Sequence, residues 1–377
     1  MSRTTLLSLA QALGVSRTTV SNAYSRPEKL SAELRERIFA TARELGYEGP
    51  SPLAASLRKG RTDSIGVLFT DDLGYAFSDP VSTLFLAGVA GQLQEAGHAL
   101  TVLSAPRSGG SGPMSRAMVD GLIVYSVDED SPGLAVARKR AIPSVLVDQA
   151  PETGTACVNV DDRVGAEAAV AHLAAQGHAA IAGVAVAAGD SGAAAEQCVL
   201  VGNNATSRSY VVRERMVGWR HGCEDAGVPP PVMVSCPAND AEHGRHAARL
   251  LLEAVPRPTA LVCLSDELAL GVMAELAAQD LRVPADVSVV GFDDSPAAAM
   301  AQPPLTTVRQ PARDKGALAA QLLLDRLRTG EAGSSQLLAT ELVVRSSTAA
   351  PAADAATRPA DPSRSRKGRR HAGRSDR

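Results

Sequence analysis

Residues 7–47 read LSLAQALGVSRTTVSNAYSRPEKLSAELRERIFATARELGY, and the spacing of their apolar side chains predicts three short helices. The first helix carries apolar residues at helical spacing: Leu6, Leu9, Ala10 and Leu13. Gly14 ends this helix, Ser16 is the expected N-cap of the second, and Ser31 that of the third, which Gly46 closes. Two short helices joined by a tight Gly-Val-Ser turn and braced by a third predict a helix-turn-helix.

The second helix of this motif begins with short polar donors, which could approach base edges or phosphates in a major groove. We expect Arg17 to suit guanine and Asn22 to suit adenine. The complete set of candidate DNA contacts in this region is Ser16, Arg17, Thr18, Thr19, Ser21, Asn22 and Ser31. A three-helix fragment taken alone is a weak indication, because many such bundles bind nothing.

The string itself is more specific, because it closely resembles the DNA-binding headpiece of the lactose/galactose-repressor (LacI/GalR) family. The core GVSRTTVSNAYS, the helix that begins at Ser31 and the closing Glu44-Leu-Gly-Tyr47 follow that family's order and spacing. One feature departs from the family: Ser8 stands where an acidic residue is usual. We expect this change to weaken a capping or backbone-positioning contact and to leave the fold intact.

After Tyr47 an extended Glu-Gly-Pro-Ser-Pro breaker leads into Leu53-Ala-Ala-Ser-Leu57-Arg-Lys-Gly60, a marginal helix when taken alone. In the resembling family this segment is a hinge helix, which forms when two copies meet on the minor groove. The resemblance implies that Leu57 wedges into a base step and that Arg58 and Lys59 neutralise phosphates. The alternative is a flexible linker whose leucine packs on the core.

From Ser64 onward, buried strands alternate with amphipathic helices, first over residues 65–148 and again over residues 168–292. Continuous apolar strands such as Gly121–Tyr125 are typical of parallel sheets covered on both faces. The pattern predicts two doubly wound parallel sheets, and together with the resemblance it implies the fold class: an all-α helix-turn-helix headpiece with a hinge helix, followed by an α/β bilobed, periplasmic-binding-protein-like domain. Neither sheet has a Gly-rich phosphate loop, so we expect a ligand in the cleft beyond the carboxyl ends of the strands.

The same family resemblance covers residues 62–345, most specifically in VSVVGFDD followed by PPLTTVRQP. It implies three chain crossings between lobes, a first lobe of residues 62–159 plus 308–329, and a homodimer or tetramer. The predicted organisation is a headpiece (1–50), a hinge helix or linker (51–61), a bilobed effector-binding and dimerisation domain (62–345) and a disordered basic tail (346–377).

Ligand contacts are carried over only where the family pattern matches. Asp148 at a strand end, Arg215 before Gly-Trp, and Asp266 in Ser-Asp-Glu match positions that bind ligand polar groups. An arginine between two carboxylates suits a hydroxyl-rich ligand. Further candidates are Asn239, Gln310, Phe77 and Ser82. Phe77 and Ser82 lie on either side of Asp79-Pro80. The family usually has Asn-Pro followed by two aromatic residues here, so this loop lacks the usual rings for stacking on a ligand. For each charged residue the alternative is an interdomain ion pair or a solvated helix end.

Charge is unevenly distributed along the chain: residues 1–61 carry +5, residues 351–377 carry +5 and the body between them is acidic, within a net charge of −3. Basic ends suggest a polyanionic partner. Five scattered cysteines without a CxxC pair fit a reduced cytoplasm, and no apolar run is long enough to cross a bilayer. We expect no membrane association, no cofactor and no metal. Two catalytic-looking motifs, Gly-Asp-Ser-Gly at 189–192 and His243-x-x-His246, lack the partners that chemistry would need.

Together these features predict a cytoplasmic, sequence-specific regulator of transcription, acting as a repressor on double-stranded operator DNA. A small polar effector, carbohydrate-like, would control its operator affinity from the cleft. One alternative is the same fold responding to a nucleobase, nucleoside or other metabolite as co-repressor. A solute-binding protein would share the cleft but not the basic headpiece. An enzyme would need a phosphate loop, a metal cluster or a nucleophile–base pair, and the sequence shows none.

Overall fold

The computed structural model describes residues 5–49, 60–69, 73–105, 112–127, 131–187 and 197–352. The chain divides into two compact units, one containing the sequence up to Ser64 with Met118–Asp120, and the other containing the remainder from Ile65.

Among its described residues, the N-terminal unit contains three helices, α1 (Leu6–Leu13), α2 (Arg17–Ser25) and α3 (Ala32–Glu44), with a 3-10 turn at Pro27–Lys29. Their small core consists of buried apolar side chains from all three helices: Leu9, Ala10, Val20, Ala23, Ile38 and Ala42. The rings of Phe39 and Tyr47 pack edge-on against Tyr24, at centroid distances of 5.1 and 6.0 Å. The predicted helix-turn-helix is confirmed.

The caps of these helices follow the predicted pattern, with one difference. Ser16 and Ser31 both accept a backbone N–H from the third residue of the following helix. At α1 the Ser8 hydroxyl accepts from the backbone N–H of Thr5 at 2.9 Å, and the Thr5 hydroxyl accepts from Ser8 in return. The capping box forms with Ser8 in the place of the acidic residue, because a serine hydroxyl can accept the same backbone N–H that a carboxylate would, and the expected weakening of the contact stays a prediction.

Two sheets and their flanking helices make up the second unit. Its strands within the described residues are β1 (Ser64–Phe69), β2 (Ala99–Ser104), β3 (Gly121–Tyr125), β4 (Ser144–Val147), β5 (Cys157–Val160), β6 (Ile181–Val186), β7 (Val199–Val201), β8 (Val232–Cys236), β9 (Ala260–Cys263), β10 (Ser288–Asp293), β11 (Thr306–Arg309), β12 (Gln336–Leu338) and β13 (Glu341–Val343). Its helices are α4 (Leu73–Ser78), α5 (Pro80–Glu95), α6 (Pro132–Lys139), α7 (Asp162–Ala175), α8 (Tyr210–Asp225), α9 (Ala241–Leu252), α10 (Asp266–Ala278), α11 (Pro296–Met300) and α12 (Ala312–Thr329).

The strand order is β12-β5-β4-β3-β1-β2 in the first sheet and β13-β11-β10-β9-β6-β8-β7 in the second. The second sheet is parallel except at its two edges, where β13 and β7 run antiparallel to their neighbours. Each sheet has its own cluster of buried apolar side chains. The predicted architecture of two doubly wound lobes is confirmed.

Glycines allow pairs of helices to pack with their backbones in contact. A Cβ atom added at Gly88 on α5 would lie 2.0 Å from a carbonyl oxygen of α12, and one at Gly316 on α12 would lie 2.1 Å from a carbonyl oxygen of α5. Gly244 and Gly271 fill the same role between α9 and α10. These positions exclude any side chain, because real Cβ atoms do not approach other atoms so closely.

The chain crosses between the two lobes three times: at Asp161, at Gln310-Pro311 and at residues 339–340. Two crossings lie side by side, since the Asp161 N–H donates to Leu338 O at 2.9 Å and the Thr340 hydroxyl donates to Asp161 O at 3.1 Å. The predicted number of crossings is right, but the predicted first lobe ends too early at residue 329. The reason is that β12 returns to the first sheet and pairs with β5.

The predicted tail boundary at residue 346 is also too early. Ser347 is fully buried and its hydroxyl donates to Val289 O at 2.6 Å, while the Ala349 N–H donates to the Ser288 hydroxyl at 3.1 Å. Residues 346–349 therefore pack along β10. The rest of the predicted tail, residues 353–377, lies outside the described residues.

No helix in the described ranges is long and apolar enough to cross a membrane.

Candidate functional sites

The first candidate site is the outward face of α2. At 100° per residue, four of its polar side chains fall within an arc of about 140°, namely Arg17, Thr18, Ser21 and Asn22, whereas Thr19 lies outside it. Val20 and Ala23 point the other way into the core and are buried. Arg17 and Thr18 are exposed, whereas Ser21 and Asn22 are half-buried. The small core therefore presents the residues that sequence analysis assigned to base edges on a single surface.

The remaining predicted DNA contacts of this unit lie at helix starts. The hydroxyls of Ser16 and Thr19 are 2.8 Å apart at the N-terminus of α2, and Ser31 caps α3. These side chains fix the helix ends, where backbone N–H groups favour an anion such as phosphate. The predicted hinge contacts Leu57, Arg58 and Lys59 lie outside the described residues.

The second candidate site is a cavity of about 410 Å³ between the two lobes of the α/β unit. Residues at or just beyond the carboxyl ends of strands from both sheets line it: Phe69, Tyr125, Asp148, Val186, Leu264, Asp293 and Gln310. Parallel strands end at the same edge of a sheet, so the fold brings these side chains together, and Asp148 and Gln310 among them were predicted from the sequence.

A chain of buried polar groups joins the lobes beside this cavity. Lys315 on α12 is 1% exposed, and its Nζ donates to Asp148 Oδ2 at 2.6 Å and to Gln310 Oε1 at 3.0 Å. The amide of Gln310 in turn donates to Asp293 Oδ1 at 2.6 Å. Asp148 Oδ1 is buried and has no hydrogen-bond partner among the described residues. This oxygen is therefore an unused acceptor in the cavity wall.

The Arg215 side chain on α8 contacts a carboxylate, a backbone carbonyl and an aromatic ring. Its Nε donates to Asp162 Oδ1 at 2.7 Å, its Nη1 donates to Leu264 O, and its guanidinium carbon lies 3.5 Å from the centroid of the Phe292 ring. Its Nη1 is also 3.7 Å from Asp293 Oδ1. No hydrogen bond of Nη2 is seen within the described part of the chain, which leaves a donor at the cavity.

The carboxylates beside Arg215 are in a poorly solvated environment. Burial raises the pKa of Asp162 to about 6, although the Arg215 charge opposes the shift. Burial also raises the pKa of Asp293 well above its ordinary value, again against Arg215. Both acids therefore resist ionisation although Arg215 lies beside them, and Asp293, unlike Asp162, lines the cavity.

A hydrogen bond closes the rim of the cavity. The amide nitrogen of Asn239, in the second lobe, donates to the hydroxyl of Tyr75 on α4, in the first lobe, at 2.9 Å. The Ser265 hydroxyl donates to the other side of the same Asn239 amide. Nearby, Asp79 caps α5 by accepting the Ser82 N–H at 2.8 Å, and both residues line the cavity.

Five of the seven predicted ligand residues line the cavity, namely Ser82, Asp148, Arg215, Asn239 and Gln310. Asp266 does not, because both of its oxygens are already used: Oδ1 accepts from the Thr307 hydroxyl at 2.5 Å and Oδ2 from the Ser295 N–H at 2.7 Å. Burial raises the pKa of Asp266 to about 6. Phe77 is 63% exposed and also lies outside the cavity wall.

Several residues of this site were not predicted from the sequence, among them Tyr75, Tyr125, Asp293 and Lys315. Tyr125 and Asp293 end buried strands, a signal that was used for Asp148 and could have found both. Tyr75 and Lys315 had no such signal, because Lys315 lies one turn into a helix whose pattern does not distinguish a buried lysine. Rings from Phe69, Tyr75 and Tyr125 line the cavity. They are supplied by strand ends and α4, not by the family's usual loop position.

One of the two catalytic-looking motifs lies in the part of the chain that the structure describes. Gly-Asp-Ser-Gly at 189–192 lies outside the described residues. The rings of His243 and His246 are 6.3 Å apart, and His243 Nδ1 is bonded to the Asp240 carboxylate at 2.8 Å. Among the described residues there is no group of three or more side chains that could hold a metal ion.

Comparison with known proteins supports this division of the chain. Residues 5–49 match the family model described as bacterial regulatory proteins, lacI family, and residues 170–348 match a periplasmic binding protein-like domain. An HTH-type transcriptional regulator of Mycobacterium tuberculosis is 41% identical over 362 residues, which cover 93% of this chain and 98% of that protein.

Two solved structures extend the similarity to the whole fold. The lac repressor dimer bound to operator and the anti-inducer ONPF superposes with a TM-score of 0.74 at 27% identity, covering 93% of this chain and all of that one. The complex of the transcriptional regulator CelR with cellobiose superposes with a TM-score of 0.66 at 29% identity, covering 92% of this chain and all of that one.

Proposed function

Because this chain belongs to the lacI family of bacterial regulatory proteins, we propose that it is a repressor whose operator affinity is set by a small hydroxyl-rich ligand in the cavity between its lobes. It is a DNA-binding transcriptional regulator, and the relatives described above carry that description as well. What we propose in addition is that it represses transcription and that its effector is hydroxyl-rich.

One observation above all supports the effector class: the buried, unpartnered Asp148 Oδ1 in the cavity wall. A buried carboxylate oxygen without a donor costs free energy, and a ligand hydroxyl would relieve that cost. Arg215 offers a donor to ligand oxygens from the other lobe, and Asp293 offers a second carboxylate. A carbohydrate-like molecule presents both donors and acceptors on one ring, which matches this mixed wall.

The three rings that line the cavity also support a second candidate, a nucleobase or nucleoside acting as co-repressor. Phe69, Tyr75 and Tyr125 give apolar faces on which a base or a sugar ring could stack. The solved CelR complex contains cellobiose, which favours a carbohydrate by analogy with a related fold. The two candidates differ in what they would donate to Asp148: hydroxyls in one case and ring or exocyclic N–H groups in the other.

We propose that the effector acts by changing lobe closure in a homodimer. A ligand that contacts Asp148 in one lobe and Arg215 in the other stabilises one closure and so alters the spacing of the paired headpieces. Such coupling is typically about 1–3 kcal/mol, and it must be reciprocal between effector and operator. A dimer is required because two half-sites are read by two copies of α2.

The test of this proposal begins with a thermal-shift screen of the full chain against monosaccharides, disaccharides and polyols on one side and nucleobases and nucleosides on the other. For the ligand that raises the melting temperature, we expect Asp148→Asn to weaken binding roughly 10–150-fold, because a charge-assisted hydrogen bond is lost. DNA binding without effector should stay at the wild-type level. Asp280→Asn is the matched control, since Asp280 is exposed and shares the positive φ of Asp148, 58° against 55°. Equal ligand affinity in Asp148→Asn and wild type would remove Asp148 from the site.

A separate prediction concerns the outward face of α2, which carries Asn22. Asn22→Ala should weaken binding to the preferred operator by about 1–3 kcal/mol, roughly 5–150-fold, because an amide is suited to contact adenine. Affinity for random-sequence DNA should hardly change, and quantitative gel shifts at one salt concentration measure both. If the two affinities fell together, Asn22 would contact the backbone and would not read sequence.

A further inference from the structure

A pair of thiols lies at the end of the β7–β8 strand pair, outside the polar network described above. Cys198 Sγ and Cys236 Sγ are 3.3 Å apart, and both thiols point towards the carbonyl oxygen of His243. All five cysteines of the chain are free in this structure. We propose that Cys198 and Cys236 form a reversible disulfide when the protein is exposed to a hydroperoxide.

The strand register places the two residues opposite each other. β7 pairs antiparallel with β8, with Val199 opposite Ser235, so Cys198 lies directly across from Cys236 at the end of the ladder. Opposed residues in antiparallel strands have Cα atoms about 4.5 or 5.5 Å apart. Both separations fall within the range of about 4.4–6.8 Å that disulfides accept. The bond therefore requires side-chain rotation and no rearrangement of the strands.

The surroundings assign the two sulfurs different roles. Cys198 is half-buried, whereas Cys236 is 1% exposed. The hydrogen bond from Cys236 lowers the pKa of the Cys198 thiol, although burial opposes it, and the pKa of Cys236 is raised. Cys198 is thus the accessible nucleophile and Cys236 the partner that resolves it.

The reaction is balanced with a hydroperoxide as the oxidant. The Cys198 thiol gives up its proton and the thiolate attacks one peroxide oxygen. The O–O bond breaks, Cys198 becomes a sulfenic acid, and the leaving hydroxide or alkoxide takes up the proton that the thiol lost, as water or an alcohol. The Cys236 sulfur then attacks the Cys198 sulfur, the S–S bond forms, and the hydroxyl leaves with the Cys236 proton as water. A dithiol reductant reverses the step by thiol–disulfide exchange.

The location gives the bond a structural consequence. β7 is a three-residue edge strand joined to the sheet through β8 alone, and Cys236 directly precedes Pro237–Asn239, which line the cavity rim. A disulfide would add a covalent link at this corner. This proposal does not rest on the function proposed above, because it concerns the chemistry of two side chains and can be tested without DNA or effector.

The test uses the reduced full chain and one molar equivalent of hydrogen peroxide, followed by alkylation of the remaining thiols under denaturing conditions and intact-mass measurement. We expect three alkylated thiols in place of the five of the untreated chain, and a tryptic peptide pair that joins Cys198 to Cys236. Treatment with dithiothreitol before alkylation should restore all five. Cys198→Ser should keep all four of its remaining thiols at the same dose.

Cys157→Ser is the matched control, since Cys157 is buried in the first lobe and should be irrelevant to the reaction. In this variant two of the four thiols should still be lost. Cys236→Ala provides a second test, which remains valid if the Cys198→Ser variant does not fold. This variant should form no intramolecular disulfide. Five alkylated thiols in oxidised wild type, a disulfide between other cysteines or a Cys198 sulfinic acid without a disulfide would each overturn the proposal.

Discussion

Replacing Arg215 by methionine should lower the free energy of unfolding by about 3–5 kcal/mol, the usual cost of removing one partner from a buried ion pair. Asp162 would be left 1% exposed without its guanidinium, and the stacking on Phe292 would be lost. Binding of the effector should fall below detection, because the same side chain provides the only arginine in the described cavity wall. Denaturant unfolding and the thermal-shift assay measure these two effects.

The double variant Asp162→Asn, Arg215→Met separates the two roles of Arg215. It should recover much of the lost stability, because the uncompensated buried charge is gone, and it should still fail to bind effector. The stability deficit of the single variant should also shrink as the pH falls towards about 6, and it should level off below that pH. The reason is that Arg215 lowers the pKa of Asp162, so in the variant this pKa lies above the wild-type value of about 6 and the buried acid takes up its proton at a higher pH. A single variant as stable as wild type at pH 7.5 would contradict the ion-pair argument.

The second large effect concerns helix packing. Gly88→Ala should cost about 3 kcal/mol, at the upper end of what overpacking normally costs, because its Cβ would lie 2.0 Å from a backbone carbonyl oxygen that cannot move away alone. The helices α5 and α12 would have to separate. The denaturation midpoint should fall with an unchanged slope, which reports a loss of stability and not a change in compactness.

Gly91→Ala supplies a matched control on the same helix. Gly91 is exposed, and a Cβ added there would have no neighbour within 4 Å. This substitution should stabilise the protein by about 0.5–1 kcal/mol, because alanine loses less backbone entropy than glycine in a helix. Opposite signs at two glycines three residues apart would be the signature of the helix contact. Two similar values would mean that α5 and α12 adjust without cost.

Local sequence rules accounted well for the headpiece and the strands. Ser16 and Ser31 cap helices as predicted, since a cap depends on the nearest few residues. The strand ends also predicted Asp148, because a polar residue after a buried parallel strand must emerge at the ligand edge of the sheet. Ser8 shows the limit of pattern matching, because a hydroxyl replaced an acid without losing the contact.

Partners distant in sequence account for the errors. Asp266 has the position and the residue type of a ligand contact, yet its oxygens bond to Thr307 and Ser295, which lie 41 and 29 residues away. Lys315 was missed because its partner Asp148 is 167 residues away. In both cases the side chain's role depends on which segment the fold places against it, and neither helix period nor residue type carries that information.

The positions of the crossings between the lobes determine how far a bound ligand can move one lobe relative to the other. Any rotation of one lobe against the other must be absorbed at Asp161, at Gln310-Pro311 and at residues 339–340, so displacement grows with distance from them. Gln310 lines the cavity, whereas Tyr75 and Asn239 meet at its rim. A ligand seated near Gln310 therefore acts close to the pivot and with a short lever arm. A ligand large enough to replace the Tyr75–Asn239 bond acts at the far end, and for equal binding energy it produces more movement of the lobes.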